Sequence, residues 1–524
     1  MKNTVTTSAW RQYEAGRELL RRIGLYETVR QNDRFYRGEQ WRAGEGRELP
    51  RPVFNIIRRI ADYLISNVAE NDLKITYSND DPVAGIDTRG AAAMAAAIDA
   101  LNRSTAYRWR REHMGELIYR LISDAAVSGD GIIYSYWGPD ADGGRGGIAS
   151  STVDNTNIFV SDVNSRDIQG QEYLILAGRS TVSSLRAEAR RRGLSESEAA
   201  KIVADGEGDA PELEDEGSEK ATYLLKFYRV DGRVHFEKST KSCVICRAEL
   251  PCRLYPVAYF SWYPQKNSFH GTSPITSMIP NQRYINRAYA MVMKHMTDSA
   301  FSKVIYDRTR IPEWTNEVGE AIGAVGGGNI ADAVAVVGCG KLESGYLDLI
   351  SSAISTTKEL AGATETALGN IAPNNASAIL ALREGASAAL EQVRASLYRC
   401  IEETADIWAD LTLGYAGDTL TLRTEAGCEQ IDTSLIRRAV LSAHVEISET
   451  ARYSLSATQT VLDSLLSAGH ISFCEYLERL PDGILPGKEK LIAARRGDSG
   501  APAETAAGTP SVAETPHENT EKKG

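Results

Sequence analysis

The sequence contains no run of about 18 apolar residues, the length that a membrane-spanning helix requires. The segment from Met1 to Trp10 lacks the charged and then apolar layout of a secretory signal peptide. Cysteine is scarce: the seven residues, an odd number, are scattered along 524 positions, which favours reduced thiols in a cytosolic setting. We therefore expect a protein that is made in a cytoplasm and has no membrane span.

Positive charge is also in short supply. Lys and Arg total 59 against 70 Asp and Glu, so the formal net charge is -11. A monomeric, sequence-specific DNA reader usually carries a basic surface that neutralises phosphates, and the composition disfavours that class. Acidity is compatible with DNA that only passes by, because a strongly basic wall would hold the duplex.

No pattern in the sequence points to an active site. None of the seven histidines forms an HxxxH pair or an evident partner set with Cys or Ser. Gly338-Cys-Gly-Lys341 resembles the end of a phosphate-binding loop, but it lacks the earlier Gly and has Leu342 where Ser or Thr is required. We expect no enzymatic activity and no catalytic, cofactor-binding or metal-binding residues.

Cys243 and Cys246, with Cys252 nearby, invite a zinc interpretation. A zinc knuckle needs both thiolates on one side, whereas the intervening Val244 and Ile245 favour a strand, in which positions three apart face opposite ways. No fourth Cys or His lies at a suitable distance. Ordinary strand cysteines are the favoured interpretation, and zinc remains the alternative.

Helical periodicity dominates the first 126 residues. One run passes through Leu19–Val29 and stops near Gly38, and the apolar positions of Ile56–Val68 lie on one face of a second helix. We predict further helices over Ala91–Ala97 and Tyr107–Ala126, with a short strand at residues 74–77 between them and the second helix.

The middle of the chain turns to β-structure. Asp231-Gly232 between two alternating runs predicts a type I′ hairpin turn, and Ser195 with Glu198 predicts a capping box that opens a helix. The predicted strands, which would form one antiparallel sheet, are Ile132–Trp137, Tyr173–Ala177, Tyr223–Val230, Arg233–Lys238, Cys243–Ile245 and Tyr255–Trp262.

From Ser273 onward the pattern becomes helical again. Ser273-Pro274 is a good helix start. The helix that follows carries an apolar stripe at Met278, Ile285, Tyr289, Val292 and Met296. Strands at residues 304–306 and 333–337 precede a helix over residues 346–368, whose stripe is thin: Leu347, Ile350 and Ile354.

Residues 369–376 break the helical pattern before the longest predicted helix, Ser377–Leu413. Its apolar positions repeat in near-heptads, and at about 36 residues it would be roughly 54 Å long. The later predicted elements are strands at 419–423 and 443–447, helices at 457–467 and 473–480, and a disordered tail from Ser499.

This order of parts resembles the portal proteins of tailed bacteriophages, the ring-forming subunits that occupy one capsid vertex. The resemblance is carried by the ordered set of His270-Gly-Thr-Ser-Pro-Ile275, the following helix with Asn281, Tyr284, Asn286 and Arg287, and Gly369-Asn-Ile-Ala-Pro-Asn-Asn-Ala-Ser377. It is also carried by Asn32-Asp-Arg-Phe-Tyr-Arg-Gly-Glu-Gln-Trp41 and Leu49-Pro-Arg-Pro-Val-Phe-Asn55.

The resemblance implies an α+β, mainly helical portal fold with wing, stem, clip and crown parts and a small antiparallel sheet. Its parts would be the wing (1–270), first stem helix (271–300), clip (301–345), second stem helix (346–368), tunnel loop (369–376), spine helix with return strands to the wing (377–452), crown helices (453–498) and a disordered tail (499–524).

The resemblance also implies a role: a closed ring, twelve-fold in this family, whose channel passes double-stranded DNA without sequence specificity during packaging and ejection. The implied partners are other copies of the chain, the terminase large subunit, the major capsid and scaffolding proteins, and a head–tail adaptor. The particle would assemble in the host bacterial cytoplasm, and the portal would end in the virion.

The residues that the resemblance assigns fall into three groups. Those of the tunnel loop and channel are Lys358, Asn370, Pro373, Asn374 and Asn375; those of the clip, meeting terminase or neck proteins, are Lys303, Arg308, Arg310 and Trp314; those of the stem are Arg283, Arg287 and Lys294. In a ring, Ser351, Ser352, Ser355, Thr356 and Thr357 would line or approach the channel. For the basic and aromatic clip segment, a solvated loop is an equally good interpretation.

Two alternatives stay open. Another phage head–tail or scaffold component with long helices would have no central channel, and a nucleotide- or metal-dependent enzyme would need motifs that the sequence lacks. The physical argument for the ring is that helices with narrow apolar stripes suit packing between identical copies, with a polar face toward a lumen.

Overall fold

The computed structural model describes residues 7–42, 44, 49–69, 73–80, 88–138, 146–206, 219–300, 303–315, 317, 321–337, 345–363, 390–424, 427–447 and 455–480. Two compact units divide the chain, Met1–Glu446 and Ile447–Gly524. Within the described residues, no helix has both the length and the apolar character needed to cross a bilayer.

The described helices of the first unit are α1 (Ser8–Arg22), α2 (Leu25–Arg37), α3 (Ile56–Ala69), α4 (Thr88–Arg111), α5 (Met114–Ser128), α6 (Val182–Arg191), α7 (Glu196–Ala199), α8 (Pro274–Ala300), α9 (Gly345–Leu360), α10 (Glu391–Tyr415) and α11 (Thr433–Arg438). The second unit contains α12 (Leu455–Ser467) and α13 (Phe473–Arg479). A capping box between Ser472 and Glu475 opens α13.

The strands are β1 (Leu73–Asn79), β2 (Asp130–Gly138), β3 (Gly147–Val153), β4 (Ile158–Val160), β5 (Tyr173–Thr181), β6 (Lys220–Val230), β7 (Arg233–Ser239), β8 (Val244–Glu249), β9 (Val257–Ser261), β10 (Lys303–Tyr306), β11 (Val334–Val337), β12 (Thr419–Thr424), β13 (Gly427–Asp432) and β14 (Leu441–Ile447). Helices and small, separate sheets confirm the α+β class; the wing, stem, clip and crown assignment stays a prediction.

Two helices that the sequence predicts as continuous are divided in the structure, each at a left-handed residue. The single N-terminal run is divided into α1 and α2 by Gly24, whose φ is 74°, a conformation that glycine adopts without steric cost. The helix predicted over Tyr107–Ala126 is likewise divided, because α4 continues to Arg111 and His113, with φ 51°, precedes α5. Side-chain periodicity continues across such a break, so it does not reveal one.

The expected single sheet is two sheets. One has the order β4-β5-β6-β7-β8, and the other has the order β3-β2-β9. The prediction that the strand at Tyr255–Trp262 belongs to the same sheet as Cys243–Ile245 is therefore wrong: β9 pairs with β2, with Asp130 opposite Ser261. The hairpin prediction is confirmed, since Asp231 and Gly232 have φ values of 50° and 78° between β6 and β7.

A large apolar core joins the three-stranded sheet to α3, α5 and α10. The predicted heptad positions Val393, Leu397, Ile401 and Trp408 are all buried in it, which confirms the helical prediction for the described part of that helix. The Trp408 indole donates hydrogen bonds to two serine hydroxyls of the β2–β3 pair, at 3.2 and 3.1 Å. Residues 377–389 of the predicted helix lie outside the described residues.

After α10 the chain returns to the N-terminal part of its unit. β12 and β13 form an antiparallel hairpin, and β14 pairs with β1; β13 and α11 were not predicted. Carboxylates of α10 accept hydrogen bonds from the edge strand: Asp406 from the Ala443 amide at 3.1 Å, and Glu402 from the Val445 amide at 3.2 Å.

Cys243 and Cys246 do not share an environment. Cys243 is buried against Val182 and Leu185 of α6, whereas Cys246 is half-buried in β8 opposite Lys238. The strand prediction holds from Val244 onward. Among the described residues, no group of three or more His, Cys, Asp or Glu side chains is placed to hold a metal ion.

Candidate functional site

The helix pair α8–α9, with the small β10–β11 sheet between them in sequence, is the candidate site. α8 leads into β10, β10 pairs antiparallel with β11, and α9 follows β11. The two helices therefore form the arms of a hairpin. A single small apolar cluster joins them: Ile285, Ala288 and Val292 of α8 are buried against Ile350 of α9.

Most of α9 faces away from this cluster. Ile350 and Thr357 are buried, Ala353 and Ile354 are half-buried, and Ser351, Ser352, Ser355 and Thr356 are exposed. Thr357 was expected near a channel with those residues; instead its hydroxyl donates to the Ala353 carbonyl at 2.7 Å on the buried side. The helix is shorter than the predicted span of 346–368, since it ends at Leu360.

Large apolar side chains remain exposed on both helices. On α9, Leu349 is 53% exposed and Leu360 is 78% exposed; on α8, Met291 is 58% exposed and Met296 is 59% exposed. Met296 continues the predicted apolar stripe of α8, but its side chain is exposed, because the cluster that α8 shares with α9 reaches only as far as Val292 among the predicted positions. Within one chain, these side chains stay in contact with water.

The three predicted stem cations lie on α8, but their surroundings differ. The Arg283 guanidinium lies 5.3 Å from the centre of the Phe35 ring, which anchors it to α2. Lys294 forms an ion pair with Asp298 one turn further along, at 3.6 Å. Arg287 is exposed.

A buried network of side-chain amides fixes the first half of α8 to the N-terminal helices. Gln282 accepts hydrogen bonds from the Ile56 and Ile57 amides at the start of α3, at 3.1 and 3.3 Å, and donates to Asn286 at 2.9 Å. Asn286 donates to Gln40 at 2.6 Å.

Gln40 extends the same network by donating to Asn55 at 3.0 Å, and Asn55 donates to the Tyr36 carbonyl at 2.9 Å. Segments 32–41 and 49–55, which the sequence analysis compares with portal proteins, therefore contact the part of α8 that carries Gln282 and Asn286. Sequence reasoning missed Gln40 and Gln282. The available signal was that Gln282 is a polar residue on the buried arc of an otherwise apolar stripe.

The entry into α8 is held by three further polar contacts. Asn32 donates to the Thr276 hydroxyl at 2.9 Å. The His270 Nδ1 atom lies 2.8 Å from the Asp130 carboxylate, which also accepts from the Gly271 amide at 2.7 Å. The sequence pattern does not single out Asp130; in the structure, His270 is a packed residue with Asp130 as its specific partner.

The predicted clip residues lie around β10 and the turn after it. Arg308 is exposed, and Arg310 donates to the Asn329 carbonyl at 3.2 Å. Trp314 stacks on Tyr306 with the ring centres 5.4 Å apart. Lys303 begins β10, opposite Val337 in the register. The Thr309 hydroxyl donates to Asp307, and this hydrogen bond lowers the pKa of that carboxyl.

The predicted tunnel-loop residues Asn370, Pro373, Asn374 and Asn375 lie outside the described residues. Lys358 is described; it is half-buried on α9, two turns after Ser351. The structure therefore brings the stem cations and Lys358 onto one helix hairpin. It places Lys303 on the connecting sheet, and Arg308, Arg310 and Trp314 in the segment that follows β10.

The family model described as "Phage P22-like portal protein" matches residues 188–426. This match confirms the resemblance to tailed-phage portal proteins. The portal match spans α8, β10, β11, α9 and α10, and it supports a portal protein role for the chain. The N-terminal residues of the amide network, Gln40 and Asn55, lie before the matched range. No curated protein sequence matches the chain at a significant level.

Proposed function

We propose that the chain is a portal subunit: twelve copies close into a ring at one capsid vertex, and double-stranded DNA passes through the ring without sequence specificity. Packaging and ejection would both use this channel. The proposal rests on the portal family match over residues 188–426 and on the surface of the α8–α9 hairpin.

The observation that carries the proposal is the unburied apolar surface of this hairpin. Met291, Met296, Leu349 and Leu360 are each more than half exposed, while the buried apolar residues that the two helices share within the described part of the chain form one small cluster around Ile285 and Ile350. Burial of apolar surface stabilises association by about 25 cal/mol per Å². A ring supplies the missing burial, because every copy offers its hairpin to two neighbours.

The channel wall would be polar and weakly charged. Lys358 and the residues of the 369–376 loop, Asn370, Pro373, Asn374 and Asn375, are our candidates for contact with passing DNA. The net charge of -11 favours a channel through which DNA slides over one that binds DNA tightly. Duplex DNA carries one negative charge for about every 1.7 Å of its axis, so an acidic wall does not attract it.

The β10–β11 sheet with its following turn would be the clip, where terminase docks during packaging and neck proteins bind later. Arg308, Arg310 and Trp314, with Lys303 at the start of the sheet, are the candidate contacts. Residues 1–270 would form the wing, residues 377–452 the spine helix and the return to the wing, and residues 453–498 the crown. Capsid and scaffolding proteins would surround the assembled vertex in the host cytoplasm and later in the virion.

A second candidate is a head–tail connector or scaffold component without a DNA channel. The same exposed apolar side chains would favour self-association in that case too, so the two candidates differ in the shape of the assembly. An enzymatic role has less support, because the matching family model is that of a portal protein and the sequence lacks a complete phosphate-binding loop.

Electron microscopy of the purified full-length protein tests the proposal. We expect closed rings with an axial hole wide enough for duplex DNA. Filaments, or rings without such a hole, would favour the connector without a channel. A protein that remains a folded single subunit at high concentration would overturn both candidates.

A further inference from the structure

The two arms of the hairpin present oppositely charged faces on opposite sides. One residue of an α-helix advances about 100° around the axis. On α8, Ile285 points into the cluster shared with α9, so Arg287 lies about 200° and Lys294 about 180° around from it. Both are therefore on the side of α8 that faces away from α9.

The same geometry on α9 places acids on its far side. Ile350 is buried against α8, and Asp348 and Glu359 lie about 160° and 180° around from it. Both acids are exposed. Ser352 and Ser355 lie between them on the same side and are also exposed. Small side chains at these positions permit another helix to approach closely.

The net charges of the two faces are opposite. The far side of α8 carries Arg287 and Lys294 against one acid, Asp298, which pairs with Lys294. Arg283 also lies on this side, but its guanidinium packs on the Phe35 ring of α2. The far side of α9 carries Asp348 and Glu359, while Lys358 lies about 100° to one side of Glu359. Each hairpin therefore has a positive outer face on α8 and a negative outer face on α9.

A closed ring needs two such different faces. Its contacts are heterologous: one face of each copy meets another face of the next copy, and a repeated rotation closes the circle. We infer that the α8 face with Arg287 and Lys294 packs against the α9 face with Asp348 and Glu359 of the adjacent copy. This inference rests on the proposed ring, and it moves Ser352 and Ser355 from the channel wall to the contact between copies.

Two charge-reversed full-length proteins test this pairing. Variant one carries Arg287→Glu and Lys294→Glu, so both of its outer faces are negative. Variant two carries Asp348→Lys and Glu359→Lys, so both of its outer faces are positive. Each should need at least about a hundredfold higher concentration to form rings, because like charges meet at every contact. An equimolar mixture should form rings again, with the two proteins alternating and an even number of subunits.

The matched control carries Arg21→Glu and Arg120→Glu, which change the net charge as much as variant one. Both arginines are exposed at other sites and pair with Glu18 and Glu116. This control should form rings like the unmodified protein. Circular dichroism and thermal unfolding of each variant show whether the subunit itself stays folded; the four hairpin side chains are exposed or half-exposed, so we expect no change.

The outcomes separate the pairing from the ring proposal. If the unmodified protein forms rings and both variants also form them alone at normal concentrations, the pairing is wrong and the ring stands. If neither variant assembles alone and their mixture also fails, the pairing is equally wrong. If the unmodified protein forms no rings at all, the proposed function itself fails. Recovery of rings only in the mixture supports the pairing.

Discussion

The side chains of His270 and Asp130 form a buried hydrogen-bonded pair, with Nδ1 of the imidazole 2.8 Å from Oδ2 of the carboxylate. The Asp130 side chain has no exposed surface, and that of His270 is 10% exposed. Asp130 begins β2, and His270 lies four residues before α8. The pair therefore fixes the entry of α8 to the three-stranded sheet, close to the point where Asn32 contacts Thr276.

Replacement of Asp130 should destabilise the protein strongly. The carboxylate also accepts hydrogen bonds from the Tyr259 hydroxyl at 2.7 Å and from Asn155 at 3.1 Å. The Tyr259 hydroxyl is itself buried, and this burial is the main cause that raises its pKa. Asp130→Ala would remove an acceptor shared by three buried groups: the Gly271 amide would lose the acceptor it has at 2.7 Å, whereas the Asn155 amide and the Tyr259 hydroxyl would keep only the carbonyls of Ser128 and Phe269. We expect the free energy of unfolding to fall by about 3–5 kcal/mol, measured by urea unfolding at a fixed protein concentration.

The matched control for this prediction is Asp298→Ala, since the Asp298 side chain is 59% exposed in its pair with Lys294. Exposed ion pairs contribute about 0–1 kcal/mol, so this variant should unfold nearly like the unmodified protein. A loss at Asp130 as small as the loss at Asp298 would contradict the structural role of the pair.

Glu403 should make the stability of the protein depend on pH. Burial raises the pKa of this α10 carboxyl from 4.5 to about 7. A raised pKa means that the folded state binds a proton more tightly than the unfolded state does, so this contribution to stability decreases as the pH rises from 4.5 toward 7. Glu403→Gln, which has no charge to desolvate, should therefore stabilise the protein by about 2 kcal/mol at pH 8.

The gain from Glu403→Gln should shrink steadily as the pH approaches 4.5, and urea unfolding across this range measures it. Glu429→Gln is the control. Glu429 forms an ion pair with Arg103 at 2.7 Å, and the hydrogen bond from Arg103 lowers its pKa, so its neutralisation should not stabilise the protein at any pH. A stabilisation by Glu403→Gln that is equal at pH 5 and pH 8 would refute the assignment.

The exposed apolar residues of the hairpin should matter for assembly rather than for folding. Met291→Ser combined with Leu360→Ser removes two side chains that are 58% and 78% exposed in the single chain. Each should weaken a contact between copies by about 1–2 kcal/mol, with little change in thermal unfolding of the single subunit. Analytical ultracentrifugation measures the shift from rings to monomers.

Ile23→Ser combined with Val230→Ser is the control, because these side chains are 53% and 45% exposed on α1's end and on β6. We expect rings of the control to form at the same concentration as those of the unmodified protein. If the Met291 and Leu360 variant forms rings as stable as those of the unmodified protein, these exposed apolar side chains do not hold the ring together. The main argument for the proposed function would then fail.

Shortening of residues 369–376 should separate assembly from DNA handling. This segment carries four of the candidate channel residues, so a variant that lacks Pro373, Asn374 and Asn375 should still form rings, because the contacts of α8 and α9 are unchanged. Packaging or retention of DNA should be impaired. An assay of packaged genome per particle measures this effect, and normal packaging would argue against a position of the loop at the channel.

Local signals in the sequence predicted local structure well. Asp231-Gly232 set the β6–β7 hairpin, because only a few residues tolerate two successive positive φ values. Ser195 with Glu198 formed the expected capping box, since both hydrogen bonds join residues three apart. The heptad repeat of α10 predicted its buried positions equally well, because the repeat depends on the buried face of a single helix.

The boundaries at Gly24 and His113, the division into two sheets and the contacts of Gln282 were not predictable in this way. The two helix boundaries depend on one left-handed residue that side-chain periodicity does not reveal. The sheets and the Gln282 contacts depend on residues far apart in sequence: β9 pairs with β2 across more than a hundred residues, and Gln282 caps a helix that begins at Ile56. A polar side chain looks the same in sequence whether it meets water or a buried partner.

The sequence by itself determined most of the longer helical and β segments, the acidic balance and the resemblance to phage portal proteins, because periodicity, turn chemistry and ordered motifs are local or cumulative properties. Only the tertiary structure decided which faces of α8 and α9 are covered and which remain exposed, since coverage depends on the packing of the two arms. The opposite charges of the two outer faces became visible only once Ile285 and Ile350 were seen to face each other.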